Sequence, residues 1–511
     1  MRARLAIPAP LLLMLAGCMG VTPGAPALPT PAPLADTVVV GYPTTLPTFD
    51  PHVTVAQTGA FAFQGIFDQL LRFDASGALV PSLATAWRQL DERTVEFTLR
   101  EGVRFHTGEG FDARVAQWNI ERVLNPETRS IFRSTLATIA QVEAPTPTLL
   151  RVRATEPDPL LLRRLLIVRM IPPRYLAEVG APAFGAGRPS GTGPYRVREY
   201  FPNERVVLEA FDSWRGRPKT PTVVLQFNPD RTPLAAGLRT GEVDAVFNLT
   251  IDQVVQFKGM GFTVTEGVFP GAWYLELNTI ATPPFREKRV RQALTYAIDR
   301  ETIANRLFQG FVKPAAQMVS PAGFGYDPDL KPWPYDPAKA RQLLAEAGYP
   351  GGGFKVKASL TAGGRPFVEA VAGMWKEVGV ELELELLDLS VFTERFNSGP
   401  VGDVWVARSF DGDVRDADAA YQNVGTVAQR PEARSTWRNE QFATLYARQR
   451  RETDPQRRLA LLREMIRLVY EEAPVLPVYY QDLTWVVSPK VRGFQPYPDT
   501  SIEVATISKL R

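Results

Sequence analysis

A single cysteine, Cys18, stands among 511 residues, and it limits how this chain can be built. One thiol cannot close a disulfide within the chain or supply a multi-cysteine zinc or iron–sulfur site. The folded body must therefore rest on packing and hydrogen bonds alone. Cys18 also closes an apolar stretch, 5–15, that follows Arg2 and Arg4. The stretch is far short of the ~20 apolar residues of a spanning helix. A positive start, a short apolar run and the small residues of Leu15-Ala16-Gly17-Cys18 read as an export signal, 1–17. No later segment is apolar and uncharged for long enough to span a bilayer.

The Leu-Ala-Gly-Cys tetrapeptide resembles the lipobox of bacterial lipoproteins. That resemblance implies a mature chain beginning at Cys18, with diacylglycerol on its thiol and no cysteine nucleophile left; an ordinary secretory signal is the alternative. Pro23, Pro26, Pro29, Pro31 and Pro33 lie among small residues, so 18–36 reads as an extended tether. The length exceeds what one core usually covers, and two or three domains are expected. A formal charge of +3 is weak for such a chain, and no lysine/arginine run is interleaved with aromatics. Nucleic acid is thereby excluded as the expected partner.

Short strands and amphipathic helices alternate beyond the tether, the pattern of an α/β body. Strands are expected at 37–41, 94–100, 205–209, 222–227, 274–277 and 380–387, and a helix at 60–71. Asp336-Pro337 and Asp454-Pro455 each place a capping residue before a first-turn proline. The second continues along Leu459, Leu462, Ile466 and Val469, and Glu472-Ala473-Pro474 ends it.

Catalytic and metal patterns are absent from the sequence. His52 and His106 lack the carboxylate spacing of a metal triad and read as structural or rim residues. There is no Gly-x-Ser-x-Gly elbow, Walker loop or His-Glu-x-x-His. Asp411, Asp413, Asp416 and Asp418 lack the glycine and terminal glutamate of a calcium loop and read as a solvated acidic loop. No metal and no cofactor are expected.

The run Ala86-Trp87, Asp91, Thr94, Glu96-Phe97, Leu99-Arg100, Gly102-Val103, Phe105-His106, Gly108 and Phe111 is similar to a signature of the extracytoplasmic solute-binding proteins of family 5, the peptide, nickel and opine receptors of ATP-driven importers. Gly191-Thr-Gly-Pro-Tyr195 with Trp214, Gly241-Glu-Val-Asp-Ala245, Leu277-Asn278-Thr279, Val290-Arg-Gln-Ala-Leu294, Tyr335-Asp-Pro337 and Glu472-Ala-Pro474 follow in the family's order. Most of these have a scaffold reading. Gly-Thr-Gly-Pro-Tyr, for example, is a turn whose glycines permit positive φ.

The resemblance implies a two-lobed periplasmic-binding-protein type II fold with an extra small domain inserted in the first lobe. Lobe one would combine 37–57, 186–283 and 486–511; the small domain would be 58–185 and the second lobe 284–485. Crossings near Asn278 and Val487 would form the hinge. The implied function is a non-enzymatic, monomeric, lipid-anchored and extracytoplasmic receptor that passes di- or oligopeptides to an ATP-binding-cassette permease and ATPase. Chelated nickel, glutathione-like tripeptides and opine-like amino acids are alternative ligands, and a secreted hydrolase is the alternative of another class. In related peptide receptors an aspartate pairs with the ligand ammonium; counting along 403–413 puts it on Asp411, or on Asp413 if the loop is shifted. The family's Gly-Trp before that loop is Ala407-Arg408 here. Arg408 either contacts a ligand carboxylate or pairs with Asp411. Trp405, Arg365, Trp273 and Tyr274 complete the candidate set, with core packing the alternative for Trp273 and Tyr274.

Overall fold

The computed structural model describes residues 35–54, 57–74, 77–398, 402–409, 415–422, 424, 436–497 and 502–511. One eleven-stranded sheet organises it: β1 (Thr37–Tyr42), β2 (Tyr195–Phe201), β3 (Arg205–Ala210), β4 (Thr222–Phe227), β5 (Ala245–Phe247), β6 (Thr263–Leu277), β7 (Val312–Pro314), β8 (Phe354–Leu360), β9 (Val380–Leu386), β10 (Val404–Arg408) and β11 (Val475–Val487). Their spatial order is 9-8-10-6-11-5-1-4-3-2, with β7 also beside β11.

The long strands β6 and β11 run antiparallel and belong to both lobes. Thr263 faces Val487 at one end and Glu276 faces Val475 at the other. Alternation along β6 serves two cores in the second lobe. Trp273, Leu275 and Leu277 enter one, while Tyr274 enters another with Tyr421, Phe442 and Leu462. The first lobe packs Val38, Val40, Leu225, Phe247 and Trp485 together. Both strands change lobes in mid-strand, between Val264 and Ala272 on β6 and between Tyr480 and Leu483 on β11. These crossings lie upstream of Asn278 and Val487, so Leu483 and Trp485, expected in the second lobe, pack in the first.

A third core draws on Leu70 through Met170 around a four-stranded antiparallel sheet, Ala84–Asp91, Thr94–Leu99, Leu149–Ala154 and Ile139–Thr146. Helix α1 (Ala113–Leu124) covers it, capped by Asp112, whose carboxylate accepts from the Val115 amide at 3.0 Å. This core is narrower than 58–185, because Ile66, Phe67, Ile171 and Phe184 pack into the first lobe.

The helix expected at 60–71 stops at Ile66, and Leu71–Phe73 is a strand. Gly191 and Gly193 contribute to that stop. The Gly193 amide donates to the Ile66 carbonyl at 2.9 Å, and a Cβ on either glycine would overlap that carbonyl group. Neither glycine has positive φ, which corrects the reason expected for them: close approach is what excludes a side chain there. The two capping aspartates behave as expected. Asp336 and Asp454 each accept a first-turn amide at 2.8 Å. Ala473 ends the long helix Pro455–Glu472 in the left-handed region, φ 48°.

Candidate functional site

Strand directions point to a candidate site. β5 is antiparallel to β11 with Phe247 opposite Trp485, so its carboxyl end points along β11 toward the crossing. β1 runs parallel to β5 and β4 parallel to β1, and both end the same way, at Tyr42 and Phe227. In the second lobe β10 is antiparallel to β6, Val404 opposite Leu277 and Arg408 opposite Trp273, so it runs back toward the same crossing. β8 and β9 are parallel to β10. The carboxyl edges of two parallel strand sets therefore face each other across the hinge. In open α/β sheets that edge is where ligands sit.

At the second lobe's edge the structure brings Trp273 and Arg408 together. The Arg408 guanidinium carbon lies 5.3 Å from the Trp273 ring centroid, within cation–π range. Trp273 is held from below. Its indole N–H donates to Gln481 Oε1 at 3.1 Å, and its ring meets Phe367 edge-on at 5.5 Å. Arg408 is exposed by surface area, yet desolvation by surrounding protein lowers its pKa from the ordinary arginine value, with Tyr479 opposing.

β8 ends beside this pair, and the turn at Ala362–Gly364 leads into α2 (Arg365–Glu377). Gly363 and Gly364 face the Trp273 ring, where a Cβ would stand 3.6 and 3.3 Å from it. Arg365 follows immediately, and its Nε donates to Glu369 at 2.7 Å in an exposed pair one turn along the helix. Trp405 points elsewhere. It is 1% exposed and stacks on Phe392, centroids 3.9 Å apart. Tyr274, 3% exposed, belongs to the second-lobe core.

Ser409 fixes the exit of β10. Its hydroxyl accepts from the Ala272 amide at 2.7 Å and donates to the Met318 carbonyl at 2.6 Å. Asp411 and Asp413, like Cys18, lie outside the described residues. Asp416 and Asp418 correct the solvated-acid reading. Asp416 is 0% exposed and receives two bonds of 2.7 Å from the Arg458 guanidinium. Asp418 receives Gln449 Nε2 at 2.6 Å, with Arg450 at 3.5 Å and Arg164 at 4.0 Å. Among the described residues no three metal-ligating side chains cluster.

Both histidines join segments of the fold. His52 Nε2 donates to the Arg169 carbonyl at 2.8 Å while Nδ1 faces Arg122, which also binds Asp50 through both nitrogens. His106 spans Gly191 and Gly193. Sequence reasoning missed the first-lobe edge where the strands end at Tyr42, Phe227 and Phe247, and it missed Gln481, which holds Trp273. Their signal was weak, because an edge residue is defined by strand direction and not by local pattern.

Residues 78–430 match the bacterial extracellular solute-binding proteins, family 5, in that family's middle region. The chain is 27% identical over 500 residues to a glutathione-binding protein of Salmonella paratyphi A, covering 94% of this chain and 96% of the relative. Its fold is similar to that of a periplasmic binding protein from Helicobacter pylori solved with a peptide, TM-score 0.77 at 22% identity, over 94% of this chain and 99% of the other. A nickel-histidine complex of a Campylobacter jejuni protein gives TM-score 0.78 at 21% identity, over 93% and 99%. No helix among the described residues is long and apolar enough to cross a membrane. The chain belongs to the bacterial extracellular solute-binding proteins, family 5.

Proposed function

We propose that this protein is the receptor of an ATP-binding-cassette importer and captures small peptides between its lobes for delivery to a permease, without chemical turnover. The observation that carries the proposal is the pair of facing carboxyl edges joined by β6 and β11, with Arg408 over the Trp273 ring at the second-lobe edge. Two packed bodies joined by two strands can close by changing few dihedrals. Closure strips water from ligand charges, and fixed groups of opposite sign must then replace it. Arg408 supplies a planar fork for a ligand carboxylate. Asp411, or Asp413 in a shifted register, supplies the carboxylate for a ligand ammonium. Arg365 stands near enough in sequence to the β8 edge to assist if it leaves Glu369.

A glutathione-like tripeptide is the second reading. The named activity of the full-length relative favours it, and such a ligand carries one ammonium and more than one carboxylate for Arg408 to read. Cys18 is proposed as the lipid anchor, on the lipobox alone, in a monomeric protein facing away from the cytoplasm. Mass spectrometry of ligand carried through gentle purification tests the function, together with thermal shifts in chelator. Peptides, including glutathione, should raise the melting temperature without metal by mass action. Stabilisation only by chelated nickel would replace the peptide reading, and hydrolysis of the added peptides would replace the receptor reading. Cys18→Ser should release the protein from membranes with binding intact; membrane retention would remove the anchor.

A further inference from the structure

A cavity of about 510 Å³ lies where the third core, the first lobe and the C-terminal segment meet. It is distinct from the facing edges, since no residue of β5 through β11 lines it. Its volume is that of a small-molecule pocket. Six cations line it: Arg72, Arg100, Arg169, Arg215, Arg217 and Lys219. Among the described residues two lining carboxylates, Asp68 and Glu503, oppose them, and both are engaged. Asp68 accepts from Arg215 at 2.7 and 2.8 Å and from the Thr192 hydroxyl at 2.9 Å. Glu503 accepts from Tyr497 at 2.6 Å and from Arg72 at 3.3 Å.

Among the described residues, no carboxylate lies within ion-pair distance of Arg100, Arg217 or Lys219. Cations converging on one concavity repel, and the cost falls when an anion enters between them. The walls are aromatic as well as basic. Phe67, Phe73 and Trp214 line the cavity, and Arg215 stands 5.3 Å from the Trp214 ring centroid. A Cβ at Gly216 would overlap that indole, so the glycine lets the ring fold back against the chain.

We infer that this cavity is a second ligand site, for a small organic anion carrying at least two negative charges on a flat or apolar body. Arg100, Arg217 and Lys219 would hold the charge, and Trp214 would face the body. A phosphate monoester of a small ring has this chemistry.

The test is calorimetric titration at low salt with phenyl phosphate, with phenol as the uncharged control. Wild-type protein should bind phenyl phosphate saturably at one site and phenol not at all. Arg217→Gln and Lys219→Gln should each weaken phenyl phosphate by about tenfold or more, the usual scale of one lost charge-assisted bond. Arg217 and Lys219 are exposed, so both variants should keep the wild-type melting temperature. Arg408→Gln should bind phenyl phosphate as the wild type does. Absence of saturable binding, wild-type affinity in both cavity variants, or an equal loss in Arg408→Gln would each overturn the inference.

Discussion

His52 is fully buried between Arg122 and the Arg169 carbonyl, and its environment holds it neutral. Desolvation lowers its pKa to about 4, Arg122 acts in the same direction, and Asp50 opposes both. The folded value lies below the unfolded one, so the unfolded chain takes up the proton first. Stability is complete above the unfolded value near 6.5 and is lost as pH falls toward about 4, by up to about 3 kcal/mol. His106 is lowered to about 4 by desolvation and adds loss in the same window. Urea unfolding of the wild type should therefore weaken between neutral pH and pH about 4.5, and His52→Gln should weaken less; parallel pH profiles would contradict this. At Asp416 the expected effect is larger. Removing a charge from a pair whose side chains are 4% and 1% exposed leaves Arg458 buried without its carboxylate, hydrogen-bonded to Gln449, so Asp416→Ala should cost ~3–5 kcal/mol in urea unfolding. A change below ~1 kcal/mol would show that water already reaches the pair. The acidic run is visible in the sequence, but Arg458, 42 positions away, is not a local feature. That distance is why a solvated loop was the natural reading.

Elements with local signals were legible. The caps at Asp336 and Asp454 and the end at Ala473 follow from chemistry within one turn. The strands at 222–227 and 380–387 were legible from alternation, and the structure has them as Thr222–Phe227 and Val380–Leu386. β6 was only partly legible. Its second-lobe end alternates, but Gly267, Pro270 and Gly271 break the pattern where it changes lobes. There the pairing slips, from Val268 opposite Asp482 to Ala272 opposite Tyr480. Gly271 has φ 141°, and a Cβ would overlap the Ser409 carbonyl. Gly271→Ala should therefore cost ~1–3 kcal/mol of stability, read in thermal or urea unfolding. Wild-type stability would mean that the crossing adapts without strain.

At the scale of the whole molecule, the third core also reaches the second lobe. Arg451 meets Glu156 at 2.9 Å, Arg164 meets Asp418 at 4.0 Å, and Arg415 stands 5.7 Å from the Phe73 ring. Exposed pairs such as Arg451–Glu156 contribute little, whereas Asp418 and Arg164 are nearly buried. These contacts tie the third core to the second lobe. Asp418→Asn should enlarge the unliganded radius of gyration in small-angle scattering and weaken ligand by roughly tenfold through the lost closed population. An unchanged radius would remove the contact from the closure equilibrium. The family and the two-lobed plan were legible because many short matches fall in order. The facing edges were not, since they depend on strand pairings hundreds of positions apart. Their role as the ligand site is tested most directly by calorimetric titration of one peptide in four forms, free, N-acetylated, C-amidated and doubly blocked, against wild type and Arg408→Gln. If Arg408 reads the ligand carboxylate, the variant should lose about 2–5 kcal/mol for the free and N-acetylated forms, and little for the two C-amides. Equal losses for all four forms, or wild-type affinity throughout, would contradict the assignment.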